Sequence, residues 1–189
     1  LDLRAGHDLV TNAWRKTNAK PEQIFVPPVR WGELDYATVE RPGVAGEAEW
    51  TVEREGTVHG VLVWFDAELA EGVGFSNAPD RPELVYGQAF FPLREAVALA
   101  EGDRVRVELR ADLTAGDYTW QWRTRVFAGT DAARVKTDFR QSTFFGAPLS
   151  RASLRKREAG FRPVLGDAAR VDSFALSLMD GQSTLEEIA

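Results

Sequence analysis

Cysteine is absent from all 189 residues. That absence excludes disulfides, thiolate catalysis, Cys-ligated zinc and iron–sulfur clusters, and it permits residence in a reducing compartment. Histidine is scarce, so only His7 and His59 are available as imidazole ligands or proton carriers. Long hydrophobic runs are missing too. The apolar stretches fall well short of the roughly 18 residues a transmembrane helix needs, and Leu1-Asp2-Leu3-Arg4 lacks a signal-peptide layout. Basic charge is in deficit: 23 Lys and Arg face 29 Asp and Glu, a net charge of −6. An excess of that sign argues against binding nucleic acid through bulk charge. The expected setting is therefore cytoplasmic, with neither membrane nor nucleic acid as a partner. There is no initiator Met, and the chain stops at Glu186-Glu187-Ile188-Ala189 in an unfinished helical pattern. We read it as an excised piece of a longer protein.

What is present is apolar and β-patterned. Hydrophobic residues make up 44% of the chain, enough for a sizeable core. Strands are expected over Ala48–Glu53, Thr57–Phe65, Val85–Phe90, Arg104–Ala111 and Tyr118–Phe127, separated by turns such as Arg41-Pro42-Gly43 and Ala115-Gly116-Asp117. Arg104 to Arg110 alternates charged and apolar residues, so one face of that strand is solvated and its sheet is antiparallel. In contrast, Val58, Gly60, Leu62 and Trp64 oppose His59, Val61, Val63 and Phe65, a pattern expected of a core strand with both faces largely buried. Helix is expected at the two ends. Asp8 to Lys16 forms a short one, Ser150 caps another running through Arg157, and Ala168 to Met179 a third that aligns Val171, Phe174, Ala175 and Leu178. Ser183-Thr184-Leu185-Glu186 is a capping box, with Glu186 and Glu187 placed for a helix N-terminus. The expected fold is mainly β: an antiparallel barrel or sandwich over 31–147, preceded by a helical arm and extended entry at 1–30 and followed by a small helical appendix at 148–189.

One ordered set of motifs is more specific. His59-Gly60-Val61-Leu62-Val63-Trp64-Phe65-Asp66 is followed by Ser76-Asn77-Ala78-Pro79, then Tyr86-Gly87-Gln88, then Gly102-Asp103. This order resembles the barrel half of protein arginine methyltransferases, and the resemblance spans roughly Leu1 to Arg125. It implies that Leu1-Asp2-Leu3 ends the family's Gly-Phe-Asp-Leu segment and that Asp8 to Pro28 lies where family members carry a dimerisation arm. Leu9, Ala13 and Trp14 are then the dimer-contact candidates, and the parent is expected to be a homodimer. The family's Thr-His-Trp triplet falls on Leu84, Val85 and Tyr86, with Gln88 as the following Gln. These residues would wall the substrate cleft. Val85 stands where the family has an imidazole, and an isopropyl group neither ionises nor hydrogen-bonds. The S-adenosylmethionine site and the glutamate loop of the family lie in a Rossmann-like domain ahead of the barrel. Gly72-x-Gly74 lacks the strand-turn-helix context of such a cofactor turn. No catalytic, cofactor or metal residue is therefore assigned in this chain, and S-adenosylmethionine is expected of the parent alone. The segment from Leu178 to Ala189 also resembles small winged-helix-like modules, including peptide-binding chaperones related to PqqD.

Other residues that could carry chemistry have simpler readings. His59 is taken as structural and His7 as a solvated helix-start residue. Asp35, Asp66 and Asp103 sit at strand ends or turns, where an Asp side chain bonds nearby backbone. Tyr118, Trp120 and Trp122 share one side of a strand and read as barrel core. Arg151, Arg155, Lys156 and Arg157 read as a solvated helix face. The leading expectation is the non-catalytic barrel and tail of an S-adenosylmethionine-dependent methyltransferase, inactive alone, whose parent modifies a protein, peptide or small-molecule acceptor. The alternative is a stand-alone protein- or peptide-binding scaffold, with a sugar-binding sandwich as a third reading if the aromatics form an exposed row.

Overall fold

The computed structural model describes residues 4–114, 116–129, 131, 133–146, 151–156, 158–164, 166–179 and 181. By its internal contacts the chain divides into two compact units, Leu1–Pro148 and Leu149–Ala189. The first unit is mainly β and antiparallel, as the alternation predicts. Its strands are β1 (Arg15–Thr17), β2 (Val44–Thr51), β3 (Gly56–Val63), β4 (Asp66–Ala70), β5 (Val73–Ser76), β6 (Gln88–Leu99), β7 (Arg104–Thr114), β8 (Asp117–Phe127) and β9 (Val135–Ser142). They form sheets ordered β1-β6-β3 and β2-β7-β8-β9, with β4 and β5 as a separate hairpin.

The larger sheets close on one another through their apolar faces. One core cluster joins Leu93, Val97 and Leu99 of β6 to Val52 and to Val126 of β8, and a second joins Phe91 of β6 to Leu109 of β7 and Trp122 of β8. Each cluster therefore draws on both sheets. The outer face of the larger sheet is laced by cross-strand ion pairs, Arg106 to Glu49, Arg123 to Asp138 at 2.6 Å and Arg125 to Glu108. These partners sit opposite or diagonal in the ladder and keep that face wet, as the strict alternation of β7 requires.

The structure corrects several expectations. The N-terminal helix, α1, spans Arg4–Thr11 rather than Asp8 to Lys16, and Arg15–Thr17 is instead an edge strand on β6. Pairing with Gln88 to Phe90 gives those backbone groups ladder partners that a short isolated helix could not hold. β6 starts at Gln88, not Val85, because Val85 and Tyr86 lie in the preceding loop and are exposed. β3 is not a strand buried on both faces: none of its residues is fully buried, and its register on β6 shifts between Val58 and Gly60. β3 steps from Val58 to Gly60 while β6 runs from Val97 to Pro92, so the extra residues lie on β6 and the register of β3 against it changes there. Val58 consequently packs on one core cluster and Val61 and Val63 on the other, so the single alternation read from the sequence is broken at His59. Trp64 is only half-buried.

The second unit contains α2 (Arg151–Lys156) and α3 (Asp167–Leu178). Val171 and Phe174 of α3 are exposed, whereas Ala175 and Leu178 are half-buried. The Ser150 cap, Arg157 and the capping box at Ser183 to Glu186 lie outside the described residues.

Candidate functional site

The sequence-predicted wall residues gather around a pair of buried amides. Gln88 opens β6 and is 7% exposed, and Asn77, just after β5, is 4% exposed. A buried amide is stable only when its donors and acceptors are used, and both are. Gln88 Oε1 accepts from the Ala19 N–H at 2.8 Å, while its Nε2 donates to the Asn77 carbonyl at 2.6 Å. Asn77 Oδ1 accepts from the Phe65 N–H at 2.8 Å, and its Nδ2 donates to the Gly87 carbonyl at 2.8 Å. The segment after β1, the start of the β4–β5 hairpin and the loop before β6 are thereby tied together. Lys16 Nζ adds a bond to the Val85 carbonyl at 2.6 Å, and Asn18 donates to Glu83. Gly87 is required by this closeness, since a Cβ there would stand 2.5 Å from the Thr17 carbonyl oxygen.

On this lock stands an aromatic cluster. Phe65 and Phe75 meet edge to face with centroids 5.6 Å apart, and Tyr86 stacks on Phe75 at 6.1 Å and meets Phe65 at 5.9 Å. All three rings stay exposed, Tyr86 at 55%, and Val85 beside them is 78% exposed. Leu84 is half-buried and lines a shallow pocket of about 450 Å³ with Asp66, Phe75 and Arg81. The rings touch one another, so no cation fits between them. Val85 and Leu84 carry no polar side-chain atom, and the amide of Gln88 is committed to backbone. The sequence signal for Leu84, Val85, Tyr86 and Gln88 was motif order; Phe65 and Phe75 were missed as partners because the β4–β5 hairpin that brings them together is short and Glu-rich.

The remaining candidates are dispersed. Leu9 and Trp14 are exposed at 36% and 43%, and Ala13 is half-buried. The C-terminal end of α1 is anchored beneath them, with Gln141 donating to the Thr11 carbonyl and Asn12 Oδ1 accepting from the Ser142 N–H at 2.9 Å. His7 and His59 are both exposed. Asp35 holds its own turn, accepting from the Ala37 N–H and the Thr38 hydroxyl, and those bonds depress its carboxyl pKa. Asp103 does the same for the β6–β7 turn. Burial pushes its carboxyl up, yet bonds from the Ala100 N–H, Lys136 and the Gly129 N–H, with the Lys136 charge, outweigh burial and leave it lowered. Asp66 opens β4 at the surface. Among the described residues no group of His, Asp and Glu has the arrangement of a metal site. No described helix is long and apolar enough to cross a membrane.

Comparison with known proteins places these features in a family. Residues 6–125 match the arginine methyltransferase oligomerization subdomain. The Arginine N(omega)-methyltransferase of Streptomyces achromogenes subsp. streptozoticus is 30% identical over 59 residues, which are 31% of this chain and 16% of that protein. Among solved structures, Arabidopsis thaliana Protein Arginine Methyltransferase 10 superposes with a TM-score of 0.59 at 17% identity, over 69% of this chain and 42% of that one. The Trypanosoma brucei PRMT1 enzyme-prozyme heterotetrameric complex with AdoHcy gives a TM-score of 0.57 at 16% identity, over 70% of this chain and 44% of that one. The chain thus spans less than half the length of each of these relatives, and the structural likeness is one of fold.

Proposed function

From the premise that this chain belongs to the arginine methyltransferase oligomerization subdomain family, we propose that it is the non-catalytic barrel and tail of an S-adenosylmethionine-dependent methyltransferase. In the parent protein its task is to wall the methyl-acceptor cleft and to support a homodimer, in the cytoplasm. The observation that carries the reading is the loop Leu84 to Gln88, fixed from below by the buried Gln88–Asn77 lock and presenting Val85 and Tyr86 outward. A wall must hold its shape while its face stays free, and this loop does both. Leu9, Ala13 and Trp14 are the dimer contact in this reading. The exposure of Leu9 and Trp14 leaves an apolar surface beside an anchored helix end.

The residues described here do not suit S-adenosylmethionine. Gly72 and Gly74 belong to the β4–β5 hairpin, with Gly74 against the Ala67 carbonyl, rather than to a strand-turn-helix whose amides could cradle the cofactor. In this reading the cofactor belongs to another part of the parent; the Trypanosoma brucei complex is one with AdoHcy. Val85 supplies neither charge nor hydrogen bond to the acceptor, so the wall grips it through apolar and aromatic contact with Val85 and Tyr86.

The test separates wall from catalyst. Calorimetric titration of the isolated chain with S-adenosylmethionine is expected to show no binding, while Tyr86→Ala in the full-length parent raises the acceptor KM about tenfold, the worth of about 1.4 kcal/mol of aromatic contact, and leaves cofactor affinity unchanged. Micromolar cofactor binding by this chain, or an unchanged KM in the variant, would sink the assignment.

A further inference from the structure

The amide lock fastens the loop from Leu84 to Gln88 at its foot. Asn77 takes the Gly87 carbonyl and the Gln88 amide, and on the far limb Asn18 donates to Glu83. Val85 and Tyr86, the residues turned outward, lie between these fastenings and outside any strand. Exposed loop backbone drifts unless something pins it. Lys16 reaches this middle stretch. It stands opposite Ala89 in the β1–β6 ladder, and its stem runs back over Gly87, where an added Cβ would come within 2.9 Å of Lys16 Cγ. Its Nζ then donates to the Val85 carbonyl at 2.6 Å. A side chain at Gly87 would push that stem aside, so the glycine keeps the path of the tether open. The base of the tether is rigid, because Arg15–Thr17 pair with β6 and the residues before them are anchored through Asn12 to Ser142.

An ammonium on a carbonyl makes a charge-assisted hydrogen bond, stronger than one between neutral groups. The peptide unit it holds is planar and shared, carrying the Val85 carbonyl at one end and the Tyr86 N–H at the other. Fixing that plane fixes the directions in which the Val85 isopropyl group and the Tyr86 ring leave the backbone, and the ring is then placed for its stack on Phe75. Lys16 is itself exposed, so the fold as a whole owes it little. We propose that Lys16 is a positioning residue of the methyl-acceptor wall, acting through the Val85 peptide to present Val85 and Tyr86 in one orientation. This rests on the reading of Leu84 to Gln88 as that wall.

The experiment compares the native protein with Lys16→Met, which keeps the stem and loses the donor, with Lys16→Arg, which restores a charged donor, and with Lys20→Met, a charge-loss control at another exposed lysine. Amide relaxation by NMR on the full chain reads the wall directly. The order parameters of the Val85 and Tyr86 amides are expected to fall from about 0.85 to below about 0.6 in Lys16→Met, at an unchanged melting temperature, and to recover in Lys16→Arg; Lys20→Met should leave them as in the native chain. In the full-length parent, with L-arginine as the acceptor probe, Lys16→Met is expected to raise KM about fivefold, the worth of one hydrogen bond, with kcat and cofactor affinity held. Native order parameters in Lys16→Met, or an unchanged KM where Tyr86→Ala raises it, would overturn the proposal and leave the wall standing. A melting temperature that falls together with the order parameters would overturn it too, since the lysine would then hold the fold rather than the wall. Tyr86→Ala without effect on KM would instead overturn the wall reading, and the role of Lys16 with it.

Discussion

Asp103→Ala removes the keystone of the turn between β6 and β7. The carboxylate is 5% exposed and accepts from the Ala100 N–H at 2.8 Å, from Lys136 Nζ at 2.6 Å and, more weakly, from the Gly129 N–H at 3.3 Å. The backbone of the same turn holds Val52, a core residue, through the Val52 N–H to Asp103 carbonyl and Gly102 N–H to Val52 carbonyl bonds, each 2.8 Å. Hydrogen bonds to a charged group contribute about 1.5–3 kcal/mol, but Lys136 is partly solvated and can turn to water after the substitution. The two amides are less free to do so, which sets the expected loss at about 2–4 kcal/mol. Asp103→Asn should cost less, because its oxygen can keep the Ala100 and Lys136 bonds and its amide group then faces only the long Gly129 contact. The assay is urea unfolding followed by tryptophan fluorescence, read as a midpoint shift at constant slope.

The pH dependence gives a second check on the same group. The folded-state pKa of Asp103 is lowered, burial opposing and the Ala100, Lys136 and Gly129 bonds more than offsetting it. The carboxylate therefore contributes stability that is complete above its unfolded pKa of about 3.9 and is lost as pH falls through the lower folded value. The gap between native chain and Asp103→Asn should be constant near neutrality and shrink below about pH 4. A native-like midpoint for Asp103→Ala at pH 7, or a gap that does not change with acid, would refute the argument.

Two further substitutions probe the core and the lock. Phe91→Ala, at a position with 0% exposure between the two sheets, should cost about 3–5 kcal/mol, and Trp64→Ala clearly less because Trp64, just after β3, is only half-buried; equal urea midpoints would show that Trp64 packs more deeply than described. Gln88→Leu leaves the Ala19 N–H and the Asn77 carbonyl without their partner, so it should lower stability by about 2–4 kcal/mol and speed hydrogen exchange at Ala19 and Phe65, whereas unchanged exchange at both amides would mean that the lock does not hold the loop.

Strict alternation of charged and apolar residues makes β7 readable from sequence, since only a half-solvated antiparallel strand satisfies that pattern. Of the row Tyr118, Trp120 and Trp122 read as core on β8, Trp122 is buried and Trp120 half-buried, but Tyr118, near the strand's start, is exposed. Motif order from His59 to Asp103 was enough to point to the family. What the sequence could not carry was any feature set by a distant partner. Arg15 to Thr17 become a strand because Gln88 to Phe90 offer free backbone groups. β9, a charged stretch, is held as a strand by Arg123 pairing with its Asp138 across the ladder. β4 and β5 are too short for a period to show. The shift between Val58 and Gly60 is a matter of register between β3 and β6, and register has no signature within one strand. The candidate site divides the same way: Leu84, Val85, Tyr86 and Gln88 follow from local motif, but the amide lock and the Phe65–Phe75–Tyr86 contact depend on segments separated along the chain. Local pattern is fixed by the chemistry of neighbours in sequence, while the lock and the register shift of β3 on β6 exist only once folding has brought non-neighbours within hydrogen-bond and van der Waals reach.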